Sequence, residues 1–225
     1  MRLTFLGHAA VRLEAGDADV LIDPFLSGNP QATLAPDDVR PTHIVLTHGH
    51  GDHVGDTVAL TSTSDATAIA SVEVAAWLAA QGVRNTIGIN LGGGVATSFG
   101  RVSLHPAWHS NSLPDGSYGG MPAGALVEAG GARVYHAGDT ALFSDLALVG
   151  RRGLDVALVP IGDHFTMGPD DAIEAIRLLA PRIAVPIHYD TYPPIRQDAR
   201  AFAARVDAET DTRCVVLAPG EGLDL

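Results

Sequence analysis

The 225-residue chain reads as an α/β protein in which two β-sheets are covered by helices. Three observations point there. The first quarter is a meander of short β-prone runs, the second half alternates helix with strand, and no repeat, low-complexity tract or linker divides the chain. At about 100–200 residues per domain, the length fits one generous domain over residues 1–225.

Each element has a local reason. Arg2 to Leu6, Ala9 to Glu14 and Asp19 to Ile22 are β-prone, and Gly16-Asp17 turns the chain between the last two. Asp23-Pro24 ends the third strand, and residues 27–42, rich in Ser, Gly, Asn, Pro and Asp, read as a surface loop. His43 to Thr47 is a buried strand that feeds directly into a cluster of histidines. Val72 to Gln81 is predicted helical, with Val72, Ala75, Ala76 and Ala79 on one face and Gly82 as its stop. Strands follow at Thr86 to Ile89, Val95 to Phe99, Val102 to His105, Gly124 to Glu128 and Arg133 to His136, with Gly130-Gly131 as the hairpin between the last two. Ala141 to Val149 is expected to be helical and Val156 to Pro160 a strand. Pro169 suits the first position of a helix whose start is favoured by Asp170 and Asp171 and whose buried stripe is Ile173, Ile176, Leu179 and Ala180. Ile183 to Ile187, Gln197 to Val206 and Arg213 to Leu217 complete the pattern as strand, helix and strand.

Composition removes several chemistries. Against 26 acidic residues stand 14 basic ones, a net charge of −12, which argues against nucleic acid or an anionic membrane as partner. All 14 cations are arginines, so Schiff-base catalysis, a lysine base and a P-loop lysine are excluded. The single cysteine, Cys214, rules out intrachain disulfides and thiolate-rich metal sites, and its apolar setting makes it a packed, inert thiol. The first residues lack the long apolar core of a signal peptide, and no apolar run approaches the ~18 residues of a membrane span. A cytoplasmic location is the simplest expectation. Neither a Gly-x-Ser-x-Gly elbow nor a Gly-x-Gly-x-x-Gly fingerprint occurs.

The segment Thr47-His48-Gly49-His50-Gly51-Asp52-His53 packs three imidazoles and a carboxylate into six positions at the end of an apolar strand. In extended backbone His48 and His50 point to one side, and the two glycines let the chain turn sharply so that Asp52 and His53 face a neighbouring position. Burying so many titratable groups is costly unless something charged compensates them. Imidazole and carboxylate donors without thiolates suit zinc, and also iron or manganese.

His48-x-His50-x-Asp52-His53 resembles the signature of the metallo-β-lactamase superfamily. Leu6-Gly7-His8 and Asp23-Pro24-Phe25 precede it, and His109-Ser110-Asn111, Gly138-Asp139-Thr140, Gly162-Asp163-His164-Phe165-Thr166-Met167-Gly168 and Pro186-Ile187-His188-Tyr189 follow. Over essentially the whole chain, the pattern is similar to the short metal-dependent hydrolases related to L-ascorbate-6-phosphate lactonases. The resemblance implies a four-layer αββα sandwich of two mixed β-sheets, with two divalent cations at one edge. Carried over, His48, His50 and His109 would hold the first, Asp52, His53 and His188 the second, and Asp139 would bridge them. His105 is the rival to His109, which is preferred for its loop position. Asp52 and Asp139 would be the catalytic carboxylates, since a hydroxide bridging the metals would attack the substrate and Asp52 would position it. His8, Asp23, Asn111, His164 and Thr166 would contact substrate or support a ligand; His43, at the start of its strand, reads as structural, and His136 as supporting a ligand or packing.

The leading expectation is therefore hydrolysis of a small ester, lactone or phosphodiester, with a homo-oligomer expected by family analogy alone. A tRNA-processing nuclease shares the motif but fits poorly with the acidic chain. An iron-dependent redox enzyme is the rival from another class.

Overall fold

The computed structural model describes all 225 residues, which form two seven-stranded mixed sheets. In the first sheet β1 (Arg2–Gly7), β2 (Ala10–Ala15) and β3 (Ala18–Ile22) run antiparallel; β4 (His43–Val45), β5 (Thr67–Ser71) and β6 (Thr86–Ile89) then add in parallel. The second sheet repeats the plan. β7 (Gly94–Thr97), β8 (Gly100–Pro106), β9 (Ala123–Ala129) and β10 (Ala132–His136) are antiparallel, and β11 (Val156–Pro160), β12 (Ile183–Ile187) and β13 (Arg213–Cys214) continue in parallel. β14 (Gly222–Asp224) returns to pair with β1.

The three core clusters show the layers. Between the sheets, Val11, Val20 and Val45 of one pack with Leu104, Val127, Val156 and Val185 of the other. The outer face of the first sheet meets α1 (Gly51–Val54), α2 (Thr57–Thr63) and α3 (Val72–Ala80) through Ile44, Leu60, Val74 and Leu78. The outer face of the second meets α4 (Leu146–Gly150), α5 (Pro169–Leu179) and α6 (Ala199–Glu209) through Ala157, Val149, Ile173 and Phe202. β11 is buried along its whole length, which is why Val156 to Pro160 is uninterruptedly apolar. This is the αββα arrangement that the sequence resemblance implied.

Several local expectations need correction. The helix expected over 141–149 starts only at Leu146, because the preceding backbone bonds elsewhere: Ala141 N–H donates to Trp108 O and Met167 N–H to Thr140 O. The last strand pairs only at Arg213–Cys214, and α6 begins at Ala199, where the Asp198 side chain caps Arg200 and Ala201. In α3 the buried residues are Val74, Ala75 and Leu78 while Val72 is exposed, since a helix that is almost wholly apolar carries no polar face to orient it. Ala180 is a left-handed, exposed cap on α5, outside its buried stripe. β5, β14, α1 and α2 were not expected at all.

Candidate metal centre

The strands of both sheets deliver their last residues to one edge. His8 follows β1, Asp23 follows β3 and Thr47-His48 closely follows β4, while Asp52 and His53 lie on α1. From the other sheet, His109 comes after β8, Asp139 after β10 and His188 after β12. The motif is not extended throughout, because His50 caps the short helix α1. That helical turn swings Asp52 and His53 away from the His48–His50 pair and so separates two sets of donors.

Two groups of potential ligand atoms result, each within 4.8 Å of one another: His48, His50, His109 and Asp139 in one, His8, Asp52, His53 and His188 in the other. Asp139 stands between them. Its Oδ1 lies 3.3 Å from His53 Nε2, and its Oδ2 lies 3.2 Å from His188 Nε2 and 3.5 Å from His109 Nε2. His109 joins a donor group, whereas His105 stays in β8 beside Ser103 Oγ.

The residues around the donors fix which ring nitrogens are free. His53 Nδ1 is 2.8 Å from Asp23 Oδ2, and a carboxylate there can only accept, so Nδ1 keeps its proton and Nε2 is the nitrogen that a cation could take in place of a second proton. Asp23 is held in turn by Thr47 N–H at 2.9 Å and Thr47 Oγ1 at 2.6 Å. With its own hydrogen given to Asp23, Thr47 Oγ1 accepts from His48 Nδ1 at 3.0 Å, which frees His48 Nε2. That atom faces His50 Nδ1 at 3.0 Å.

The electrostatics ask for positive charge. Burial holds His48 well below its ordinary pKa. Burial also pulls His53 down, but Asp139 and Asp23 outweigh it and raise it well above the usual histidine range. Asp139, despite burial, is held well below the ordinary carboxylate range by His53 and His188. Of five buried side-chain atoms without a hydrogen-bond partner, three lie here: His53 Nε2, Asp139 Oδ1 and His188 Nδ1. Such orphans are rare in a folded protein unless a missing partner belongs there. The donor set, nitrogen and oxygen without sulfur, fits a divalent cation.

His8 is more central than the sequence reading placed it. It is fully buried, its Nε2 is 3.1 Å from Asp52 Oδ2, and its Nδ1 is 2.8 Å from Thr191 Oγ1. Burial lowers its pKa to about 4, so the ring is neutral. Its proton can sit on Nε2, donating to Asp52, or on Nδ1, donating to Thr191, whose hydroxyl reaches Gln31 Oε1 at 3.2 Å. His8, Asp23 and His188 all adopt left-handed backbone, with φ of 57°, 47° and 55°. Each such residue costs of order 1–3 kcal/mol and persists only where its surroundings dictate it. Here His188 N–H donates to His8 O at 2.7 Å and so ties one sheet's loop to the other's.

The other expected residues divide: Asn111 and His136 support the site, while His164 and Thr166 stand outside the donor groups. Asn111 is buried and braces the motif, accepting from Gly49 N–H at 2.7 Å and donating to Gly119 O at 2.8 Å. His164 is exposed against Phe165, and neither it nor Thr166 joins a donor group. His136 is a buried packing residue that bonds Ala9 O and Gly138 N–H. Thr47, Gln31 and Thr191 escaped the sequence reading. Thr47 could have been found from its place beside the motif; Gln31 and Thr191 lie 160 positions apart and meet only in the fold.

A two-sheet sandwich with histidine and aspartate clusters at its strand ends defines a class, the metallo-β-lactamase fold. The family model for the beta-lactamase superfamily domain matches residues 19–189, a span that holds every donor except His8. A UPF0173 metal-dependent hydrolase of Thermus thermophilus is 52% identical over 225 residues, covering 100% of this chain and 99% of that protein. Igni18, a metallo hydrolase of Ignicoccus hospitalis, superposes with a TM-score of 0.90 at 34% identity, covering 100% of this chain and 98% of that one. An isothiocyanate hydrolase from Delia radicum gut bacteria shares the fold, with a TM-score of 0.78 at 18% identity and coverage of 100% and 99%. The chain belongs to the UPF0173 metal-dependent hydrolases of this superfamily. It is an enzyme.

Proposed function

We propose that the chain is a dinuclear hydrolase acting on a small ester, lactone or phosphodiester. His48, His50 and His109 would hold one divalent cation and Asp52, His53 and His188 the other, with His8 as a further donor to the second. Zinc suits these donors best, with manganese or iron next. The observation that supports this reading is Asp139, one buried carboxylate that reaches His109 on one side and His53 and His188 on the other. Two like-charged cations so close need a shared anion.

Bound there, the cations would supply Lewis-acid activation of water and of the scissile group. The protein's own residues do the rest. Asp52, with its side chain 32% exposed, is the carboxylate open to solvent; despite partial burial, His8 and His53 hold it ionised, well below the ordinary carboxylate range, so it would orient an attacking water by accepting a hydrogen bond from it. Asp23 and Thr47 hold His53 and His48 with their lone pairs inward. With the Thr191 hydroxyl donating to Gln31 Oε1, its oxygen can accept from His8 Nδ1–H, the tautomer that would leave Nε2 free for a cation. The net charge of −12 favours a small substrate over a nucleic acid.

The test is metal content by mass spectrometry on the purified full chain and its Asp139→Ala variant. Two equivalents in the wild type and fewer than one in the variant are expected. Saturation of the wild type at a single equivalent, or an unchanged variant, overturns the dinuclear reading.

A further inference from the structure

Beside the metal centre the surface is apolar and aromatic. A cleft of about 430 Å³ is bounded by segments 107–112 and 118–122, and His109 lines it while also belonging to a donor group. Trp108, Tyr118 and Met121 line the same cleft at 66%, 71% and 55% exposure. Large apolar side chains are seldom left this open, in one patch, without a binding role.

The patch is built on firm backbone. Trp108 N–H donates to Thr140 Oγ1 at 3.0 Å, and Ala141 N–H donates to Trp108 O at 2.9 Å, which locks Trp108 to the loop that carries Asp139. Tyr118 bridges Ser112 across a turn whose Asp115 accepts from the Trp77 indole at 2.8 Å. Aromatics carried on such fixed backbone, with only two side-chain torsions each, offer contact area at modest entropic cost.

The cleft also lacks what an anion needs. No arginine lines it, and the chain has no lysine. The adjoining groove of about 310 Å³, which shares Tyr118 and Met121, has Glu73 as its one charged residue. The arginines that form ion pairs, Arg2, Arg12, Arg133, Arg177, Arg182 and Arg205, are committed to carboxylates, and none of them lines the cleft or the groove. A phosphate or carboxylate on the substrate would find no counter-charge from the protein here, and Glu73 would repel it.

We infer that the substrate carries an uncharged apolar group, an aromatic ring or short hydrocarbon, that lies on Trp108, Tyr118 and Met121 while its scissile carbonyl faces the donor groups. The substrate class is thus a neutral carboxylic ester or lactone with an apolar acyl side. This rests on the hydrolase reading above and narrows it. In the reaction the water oxygen bonds the carbonyl carbon, the acyl C–O bond breaks, and the departing alkoxide takes up a proton, with no redox partner.

Two readouts test it on the zinc-reconstituted full chain. In the first, kcat/KM is measured for methyl acetate, methyl butyrate, methyl phenylacetate and the anionic monomethyl succinate. The phenylacetate ester should exceed the acetate by about tenfold or more, the scale of apolar discrimination by a pocket. The succinate ester should fall below the butyrate, and Trp108→Ala should cut the phenylacetate rate about tenfold more than the acetate rate. Equal rates along the series, or a preference for the anion, overturn the inference. Loss of all four rates in Asp139→Ala tests the hydrolase reading separately.

The second readout needs no turnover. Tryptophan emission, taken as wild type minus Trp108→Phe, is titrated with phenylacetamide and with phenyl phosphate. A saturable change with the amide at lower concentration than with the phosphate is expected. No response to the amide, the stronger response to phosphate, or a Trp108 signal already buried in an oligomer on sedimentation would each overturn the assignment.

Discussion

On the proposed two-cation reading, Asp23→Asn should cripple one metal site while leaving the fold intact. The carboxylate accepts from Thr47 N–H, Thr47 Oγ1 and His53 Nδ1 at 2.9, 2.6 and 2.8 Å. An amide keeps one acceptor, which Thr47 N–H will use, and turns its NH2 toward Thr47 Oγ1 and His53 Nδ1. The imidazole must then accept at Nδ1, so its proton moves to Nε2, the atom that faces Asp139 at 3.3 Å. A hydrogen bond to a charged partner is worth about 1.5–3 kcal/mol. Removing an orienting carboxylate costs about 10–100-fold in metal affinity, or roughly 1.4–2.7 kcal/mol, and the two ranges agree. Backbone strain does not confuse the outcome, because asparagine tolerates the φ of 47° at this position. Competition for zinc against a chromogenic chelator reads both sites, with circular dichroism as the control for folding. We expect a loss of about 10–100-fold in the site that His53 serves. Affinities within twofold of wild type at both sites, in a folded variant, would refute the tautomer argument.

Three further outcomes follow from the same contacts. Asn111→Ala leaves Gly49 N–H without its partner and Gly119 O with only the long Ser71 Oγ bond at 3.4 Å, and should cost about 2 kcal/mol in urea unfolding, with weaker zinc retention by the His48–His50 arm. In the metal-free protein, burial lowers His8 to about 4 and also lowers His48 and His136, so between about pH 6.5 and 4 the unfolded chain binds protons that the folded chain refuses. Stability must then fall as pH drops through that window, His8 alone contributing on the order of 3 kcal/mol. His53, raised by Asp139 and Asp23, works the other way, adding stability at low pH that is lost as pH rises through its folded pKa. A urea midpoint lower at pH 5 than at pH 7 is expected, and the reverse would show that the His53 proton dominates. Cys214 is buried with its thiol pushed up to about 12, chiefly by burial, so it should react with a thiol reagent only on unfolding; prompt labelling of the native protein would contradict this.

The parts of this fold that follow local rules were legible in the sequence. β1 to β3, β9 to β12 and α5 announced themselves through alternation, Gly-Asp and Gly-Gly turns and the Pro169 start. So did the six-residue stretch from His48 to His53, because its spacing is itself the chemistry. What escaped was set by distance. β14 exists only because β1 offers it an edge, and Ala141 to Asp145 stays non-helical because Trp108 and Met167 claim the neighbouring backbone. Asn111 was expected to contact substrate or support a ligand, and which of these it does is fixed by Gly49 and Gly119 rather than by its own neighbours in sequence: it braces the motif. The Thr191–Gln31 contact behind His8 had no local signal whatever.

Each donor group straddles the seam between the sheets: His48 and His50 face His109 and Asp139, and His8, Asp52 and His53 face His188. The centre is therefore a gauge of how the two halves sit on one another. An apolar interface tolerates exchange and small slippage of its side chains, since burial is insensitive to direction. Donor atoms that must stay within 4.8 Å of one another are not so forgiving. A substitution such as Val127→Ala or Val185→Ala, deep between the sheets and touching no donor, can then register first as altered chemistry and only later as lost stability. Selection for the reaction reaches the interior by this route and disciplines residues that never meet the substrate.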